Sequence, residues 1–198
     1  MGRNTLSIDQ YAAVARSTAI YPEAASFIYP ALGLCGEIGE LSDYFLPIEG
    51  DKVRIPENNI IAELGDVLWY VTNVALDLGF SLKTIAHQIT DGLPCDTFGA
   101  LAFARLKRRD NRSPFLKLAI YSAQIAEVAK KGLRDGWGLN LTVAKRALVV
   151  AALAEILVSL CEICEKYKIS IDEVAFRNNK KLTDRQSRGK LQGDGDQR

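Results

Sequence analysis

The chain has 198 residues, 48% hydrophobic and 25% charged, which is enough to bury a core as one domain or as two closely packed halves. Its formal net charge of +1 gives no global field for nucleic acid or an anionic membrane. We recognise no secretory signal and no apolar run of membrane-spanning length, so the four cysteines are expected to be free thiols in a reducing cytoplasm. Cys161 and Cys164 stand in a helical pattern, which favours buried structural thiols over a redox or zinc motif.

Helical periodicity runs through most of the chain, and no segment alternates as a strand does, so the fold is expected to be all-α. Ser7 is placed to cap the first helix, which ends before Pro22. Pro47, Gly50 and Pro56 mark a loop between the second and third helices. Residues 91–114 are mixed in composition and rich in basic side chains. The predicted helices cover about residues 7–19, 28–46, 58–78, 81–90, 115–133, 141–167 and 170–186.

Two pairs of acids lie in this helical, mainly apolar sequence. Glu37 and Glu40 stand in GEIGEL, and Glu63 and Asp66 stand in AELGDVLWY. Each pair is spaced i,i+3, so its two carboxylates point from one face of a helix. Four carboxylates directed into one space repel one another unless a cation lies between them, and oxygen ligands suit Mg²⁺ or Mn²⁺. The four acids are therefore candidate metal ligands and catalytic residues for metal-assisted attack of water on a phosphate chain.

The two halves of the chain resemble each other. LGFSLKTIA (78–86) matches YKISIDEVA (167–175), and GEIGEL (36–41) matches AQIAEV (123–128). The second half keeps the helical pattern but only two of the four acids, Glu127 and Glu155. We therefore predict a single domain of two fused repeats, a pseudo-dimer. The repeats cover about 28–90 and 115–186, with a basic connector at about 91–114 and a tail at 187–198.

The motifs resemble a known family. LGLCGEIGEL, ELGDVLWYVTNVALDLGFSL and the closing NNKKLTDRQSRGKLQGDGDQR look like the MazG-like nucleoside triphosphate pyrophosphohydrolases, all-α enzymes related to the dimeric dUTPases. This resemblance implies Mg²⁺- or Mn²⁺-dependent hydrolysis of a (deoxy)nucleoside triphosphate to its monophosphate and pyrophosphate, in the cytoplasm of a bacterial or phage-infected host cell. By the same resemblance we expect a purine nucleotide, dGTP or GTP, as the substrate.

One departure from that family bears on the site. Its members often carry Lys-Lys and Leu-Arg-Asp-Gly soon after the first acid pair, whereas here AEVAKKGLRDG (126–136) lies in the second half. We therefore expect one composite site shared between the halves, the alternative being that the second half is only scaffold. Taken singly, each candidate has a solvent-facing role as its alternative. The candidate substrate contacts are Lys130, Lys131, Arg134, Lys181 and Arg185 for phosphate, Asn178 for sugar or phosphate, and Tyr70 and Asn73 beside the nucleotide.

Other classes of function stay open at this point. The main alternative is a non-catalytic helical module that binds nucleotide or a protein partner through a relic site. A DNA-binding role for the basic run 105–112 is disfavoured by the near-neutral charge. We also expect a homodimer of the fused chain, because a small helical domain exposes an apolar stripe that a two-fold contact can cover. The tail is expected either to lie near the site or to be disordered.

Overall fold

A computed structural model describes residues 6–45, 56–108 and 111–192. In these ranges the chain forms eight α-helices and two short 3-10 helices, at Glu23–Ala25 and Arg105–Arg108. No strand occurs there beyond an isolated bridge between Ser7 and Thr97, so the expected all-α fold is confirmed. The α-helices are α1 (Ile8–Ser17), α2 (Ile28–Asp43), α3 (Glu57–Asp77), α4 (Leu82–Ile89), α5 (Phe98–Ala104), α6 (Pro114–Asp135), α7 (Val143–Tyr167) and α8 (Ile171–Ser187).

Local signals set several helix ends where the sequence predicts them. Ser7 and Gln10 form a reciprocal capping box that satisfies two amide groups at the start of α1. Thr142 accepts a hydrogen bond from the backbone N–H of Lys145 at the start of α7. Gly136 ends α6 in the left-handed conformation, with φ 70°, which glycine adopts without steric cost.

The stretch at 91–114 is more than a connector. Thr97 caps α5, and Phe98 and Leu101 of that helix are buried. The sequence analysis missed α5 because seven residues are too few to display a helical period. Arg105, which belongs to the basic run, is 3% exposed and forms an ion pair with Glu165 of α7. The predicted loop with Pro47 and Gly50 lies mostly outside the described residues.

Helices α2 and α3 form an antiparallel pair whose register is fixed at both ends. At one end, a Cβ built on Gly33 would lie 2.1 Å from Cε1 of Tyr70, so only glycine allows this ring to lie against α2. At the other end, Asn59 donates a hydrogen bond to the Tyr44 hydroxyl at 3.4 Å. Between these two contacts, the register places Glu37 of α2 beside Asp66 of α3.

Helices α6 and α7 form a second pair that packs on the first, chiefly through α2 and α6. Each pair is followed by a shorter helix, and that helix packs mainly on the other pair: α4 lies on α7, and α8 lies on α3. This exchange is what two repeats related by a pseudo-two-fold axis would produce. The duplication itself stays a prediction.

The core is built around α3 and α7, which carry long runs of buried side chains. By length and composition α7 is apolar enough to cross a membrane, so the expectation that no segment reaches that length is wrong. However, 67% of its most apolar window is buried inside the protein, as in the core helix of a soluble domain. All four cysteines are free thiols, and Cys161 and Cys164 are buried in α7.

Candidate metal centre

Three acids from two helices meet at the α2–α3 contact. Glu37 of α2 and Glu63 and Asp66 of α3 each direct a carboxylate oxygen to one point, and these oxygens all lie within 4.8 Å of one another. Glu63 is buried, with 8% of its surface exposed. The fourth predicted ligand, Glu40, is exposed and lies outside this group. The two acids of an i,i+3 pair are offset by about 60° around the helix, so they need not both face the neighbouring helix.

The crowding of negative charge is visible in the protonation of Glu37. Burial, and then the neighbouring carboxylates of Asp66, Glu40 and Glu63, raise the pKa of Glu37 to about 8, while Lys181 opposes the shift. Burial also raises the pKa of the Tyr70 hydroxyl, with contributions from Tyr29, Glu37 and Asp66. Without a cation, Glu37 therefore keeps its proton at neutral pH.

Helix α8 contacts the cluster at Asp66. The ammonium of Lys181 lies 2.6 Å from Oδ2 of Asp66. The side-chain amide of Asn178 donates a hydrogen bond to Oδ1 of the same carboxylate at 3.1 Å. Both oxygens of Asp66 are thus held by α8, and they come to lie beside Glu37 and Glu63. Arg185, one turn after Lys181 on α8, is also buried, with 6% of its surface exposed.

Two residues that the sequence analysis did not single out support this arrangement. Gly65 allows α8 to approach α3, since a Cβ there would lie 2.8 Å from Cβ of Asn178. The hydroxyl of Tyr11, on α1, donates to Oδ1 of Asn178 at 2.8 Å. A glycine between two candidate ligands is a sequence signal for close approach, whereas nothing in the pattern of α1 sets Tyr11 apart from an ordinary core aromatic.

Asn73, expected to border the nucleotide, is placed elsewhere. It is 0% exposed, and its amide donates to the backbone carbonyls of Trp69 and Ala15, so it lies between α3 and α1. The interval of seven residues from Asp66 does return to nearly the same helix face, but it lies about two turns further along the helix. We therefore remove Asn73 from the substrate-contact set. Tyr70, by contrast, lies near the acids, as its electrostatic contact with Glu37 shows.

The basic residues of the second repeat also make other contacts. Lys130 and Lys131 both pair with Glu127 on the surface of α6. Arg134 pairs with its neighbour Asp135 at 2.6 Å. Of the predicted phosphate contacts, Lys181 lies beside the three clustered acids. Lys130, Lys131 and Arg134 instead pair with acids of their own helix, α6.

The acid cluster fits a divalent cation on two observations. The donor set is made of carboxylate oxygens from two rigid helices, which suits Mg²⁺ or Mn²⁺. Burial, and after it the carboxylates of Asp66, Glu40 and Glu63, raise the pKa of Glu37, so negative charge is crowded around its carboxyl group. A cation bound by Glu37, Glu63 and Asp66 would replace the proton that Glu37 otherwise retains.

Comparison with known proteins finds a phage protein that is similar to part of this chain. The Gene 37 protein of Mycobacterium phage L5 is 38% identical over 93 residues, which cover 42% of this chain and 82% of the phage protein. The chain belongs to the family of this phage protein. Because the matched segment covers most of the phage protein but 42% of this chain, the phage protein is about half as long as this chain. Its name states no activity. No protein-family model matches the chain, and no solved structure matches it.

Proposed function

We propose that this protein is a divalent-metal-dependent nucleoside triphosphate pyrophosphohydrolase, which converts a (deoxy)nucleoside triphosphate to its monophosphate and pyrophosphate. The observation that carries the proposal is the convergence of Glu37, Glu63 and Asp66 beside Lys181. This combination offers ligands for a cation and a positive charge for a phosphate oxygen within one site. The resemblance of the motifs to the MazG-like enzymes supports the reaction class, and we propose dGTP or GTP as the substrate.

The proposed roles follow from position. Glu37, Glu63 and Asp66 would hold Mg²⁺ or Mn²⁺, which when bound neutralises phosphate charge and lowers the pKa of water. Glu40, which is exposed and raises the pKa of Glu37, would accept a proton from the attacking water. The Lys181 ammonium, which now contacts Asp66, would also donate a hydrogen bond to a phosphate oxygen. The Tyr70 ring lies near Glu37 and Asp66, and it packs in a tilted arrangement on the Tyr29 ring with 6.4 Å between the ring centroids.

The site draws on both predicted repeats. The acids belong to the first repeat, whereas Asn178 and Lys181 come from α8 of the second. A relative half as long as this chain supports the reading that one repeat is a unit in its own right. We propose that fusion has left one composite site, in which the second repeat supplies polar contacts through α8.

A second function is favoured by one specific observation. Lys181 already forms a 2.6 Å ion pair with Asp66, and this places a positive charge where a cation would also reduce repulsion. A non-catalytic helical module that binds nucleotide or a protein partner would need no more than this. The two functions differ in their need for a metal ion.

We propose that the fused chain forms a homodimer. Helices α2 and α6, which pack together, carry exposed large apolar side chains, among them Leu32 (59% exposed), Leu116 (53%) and Ile120 (37%). Large apolar side chains on adjacent helices favour burial against a second copy. The phage relative also favours a bacterial or phage-infected host cell as the place of action.

The test of the proposed activity is a screen of the common dNTPs and NTPs with Mg²⁺, with Mn²⁺ and with EDTA. We expect metal-dependent release of pyrophosphate that Glu63→Gln abolishes. The matched control is Glu155→Gln, which changes a half-buried acid at the position that the repeat aligns with Asp66 and should retain activity. Metal-independent nucleotide binding without turnover would favour the non-catalytic module.

A further inference from the structure

Three helices are joined by a chain of hydrogen bonds that ends on the acid cluster. The Tyr11 hydroxyl of α1 lies 2.8 Å from Oδ1 of Asn178 on α8, and Nδ2 of Asn178 lies 3.1 Å from Oδ1 of Asp66 on α3. Tyr11 is 0% exposed and Asn178 is 3% exposed, so the hydrogen bond between them is shielded from bulk water, while the Asp66 end of the chain of hydrogen bonds is partly exposed. The hydrogen bond between Tyr11 and Asn178 is therefore expected to be stronger than an exposed one.

The chemistry of the three groups fixes the direction of each hydrogen bond. An ionised carboxylate only accepts, so the amide nitrogen of Asn178 must face Asp66. The amide oxygen then faces Tyr11, whose hydroxyl has to donate. The opposite amide orientation would set an oxygen against the carboxylate. Gly65 permits this close arrangement, since a Cβ there would lie 2.9 Å from Nδ2 of Asn178.

We infer that Tyr11 is a positioning residue for Asp66, acting through Asn178. The inference rests on the proposed metal-dependent function. Tyr11 holds the Asn178 amide in the orientation that donates to Oδ1 of Asp66, while Lys181 holds Oδ2. The Asp66 carboxylate is thereby kept in one rotamer next to Glu37 and Glu63. Hydrogen bonds that orient metal-binding carboxylates commonly affect metal affinity by about 10- to 100-fold.

Removal of the Tyr11 hydroxyl breaks the chain of hydrogen bonds and keeps the aromatic ring. In Tyr11→Phe, the buried Oδ1 of Asn178 loses its donor, so the amide is no longer held in the required orientation. The edge contact of the ring with Phe98, at a centroid distance of 5.4 Å, can persist. The matched control is Thr18→Val, which removes the buried hydrogen bond from Trp69 to Thr18 at 3.0 Å, between α3 and the residue that caps the end of α1.

The first experiment measures Mn²⁺ affinity of the full chain by isothermal titration calorimetry. We expect Tyr11→Phe to weaken Mn²⁺ binding about tenfold, and Thr18→Val to leave it unchanged. Asn178→Leu should weaken binding in the same way, and adding Tyr11→Phe to it should cause no further loss. Equal loss in Tyr11→Phe and Thr18→Val, or independent effects of Tyr11→Phe and Asn178→Leu, would overturn the inference.

The second experiment needs no metal. Urea unfolding of Tyr11→Phe, Asp66→Asn and the double variant in EDTA forms a double-mutant cycle. We expect the two changes to be non-additive, because both act on the orientation of Asn178, and additive effects would overturn the inference. If the wild-type protein binds no Mn²⁺, the proposed function fails, and this cycle then decides whether Tyr11 positions Asp66.

Discussion

The burial of Glu37 and the repulsion from its neighbouring acids predict that Glu37→Gln stabilises the metal-free protein at alkaline pH. The folded protein raises the pKa of Glu37 from 4.5 to about 8, so the folded state holds this proton more tightly than the unfolded chain does. The associated stability is fully present below pH 4.5 and is lost as the pH rises through about 8. Glutamine resembles the protonated acid and removes this loss.

The size of the effect follows from the shift. At about 1.4 kcal/mol per pKa unit, a shift from 4.5 to about 8 corresponds to roughly 5 kcal/mol for a fully buried group. Glu37 is only partly buried, and solvent screening reduces the expected gain to about 2 kcal/mol at pH 9. Near pH 5 the variant and the wild type should differ little, because this pH is close to the pKa of 4.5 in the unfolded chain, and most of the stability linked to the proton is still present.

The assay is urea unfolding followed by circular dichroism in EDTA, at pH 5 and at pH 9, with Glu155→Gln, an acid outside the cluster, as the control. Mg²⁺ should stabilise the wild type at pH 9 more than it stabilises Glu37→Gln, since the cation replaces the missing proton. The reasoning is refuted if Glu37→Gln is no more stable than the wild type at pH 9. It is also refuted if the difference between the two proteins is the same at both pH values.

The other predictions concern the phosphate contact and the assembly. Lys181→Ala should lower kcat/KM by a factor equivalent to about 1.5–3 kcal/mol of lost transition-state stabilisation, the range for hydrogen bonds to charged groups. Lys131→Ala should have almost no effect on kcat/KM, because the Lys131 ammonium pairs with Glu127 at 3.2 Å. Steady-state kinetics checks both, and an essential Lys131 with a dispensable Lys181 would contradict the site described. Ile120→Asp should convert a dimer to a monomer by light scattering, and a wild-type monomer at micromolar concentration would exclude the dimer.

Much of the fold was predictable because the helices are long and periodic. The register between α2 and α3 was not, since it depends on how the Tyr70 ring fits against Gly33, a contact between residues far apart in the chain. The i,i+3 spacing placed Glu63 and Asp66 together correctly. It could not show that Glu40 is exposed, because the two acids of such a pair are offset by about 60° and the packing of α2 on α3 decides which of them faces inward.

Basic residues were harder to place than acids. Long side chains choose among several partners, and Lys130 and Lys131 find Glu127 one helical turn away. Lys181 reaches Asp66 only because α8 crosses to the first repeat, and sequence spacing carries no information about that crossing. Tyr11 was missed for the same reason, since its partner Asn178 is 167 positions away along the chain.

The most direct test of the central claim is quantification of reaction products by ³¹P NMR after incubation of each nucleoside triphosphate with Mg²⁺. The proposed function predicts nucleoside monophosphate and pyrophosphate in equal amounts from the wild type, and no turnover from Asp66→Asn. Release of inorganic phosphate with nucleoside diphosphate, turnover that persists in Asp66→Asn, or no turnover of any nucleotide would contradict it.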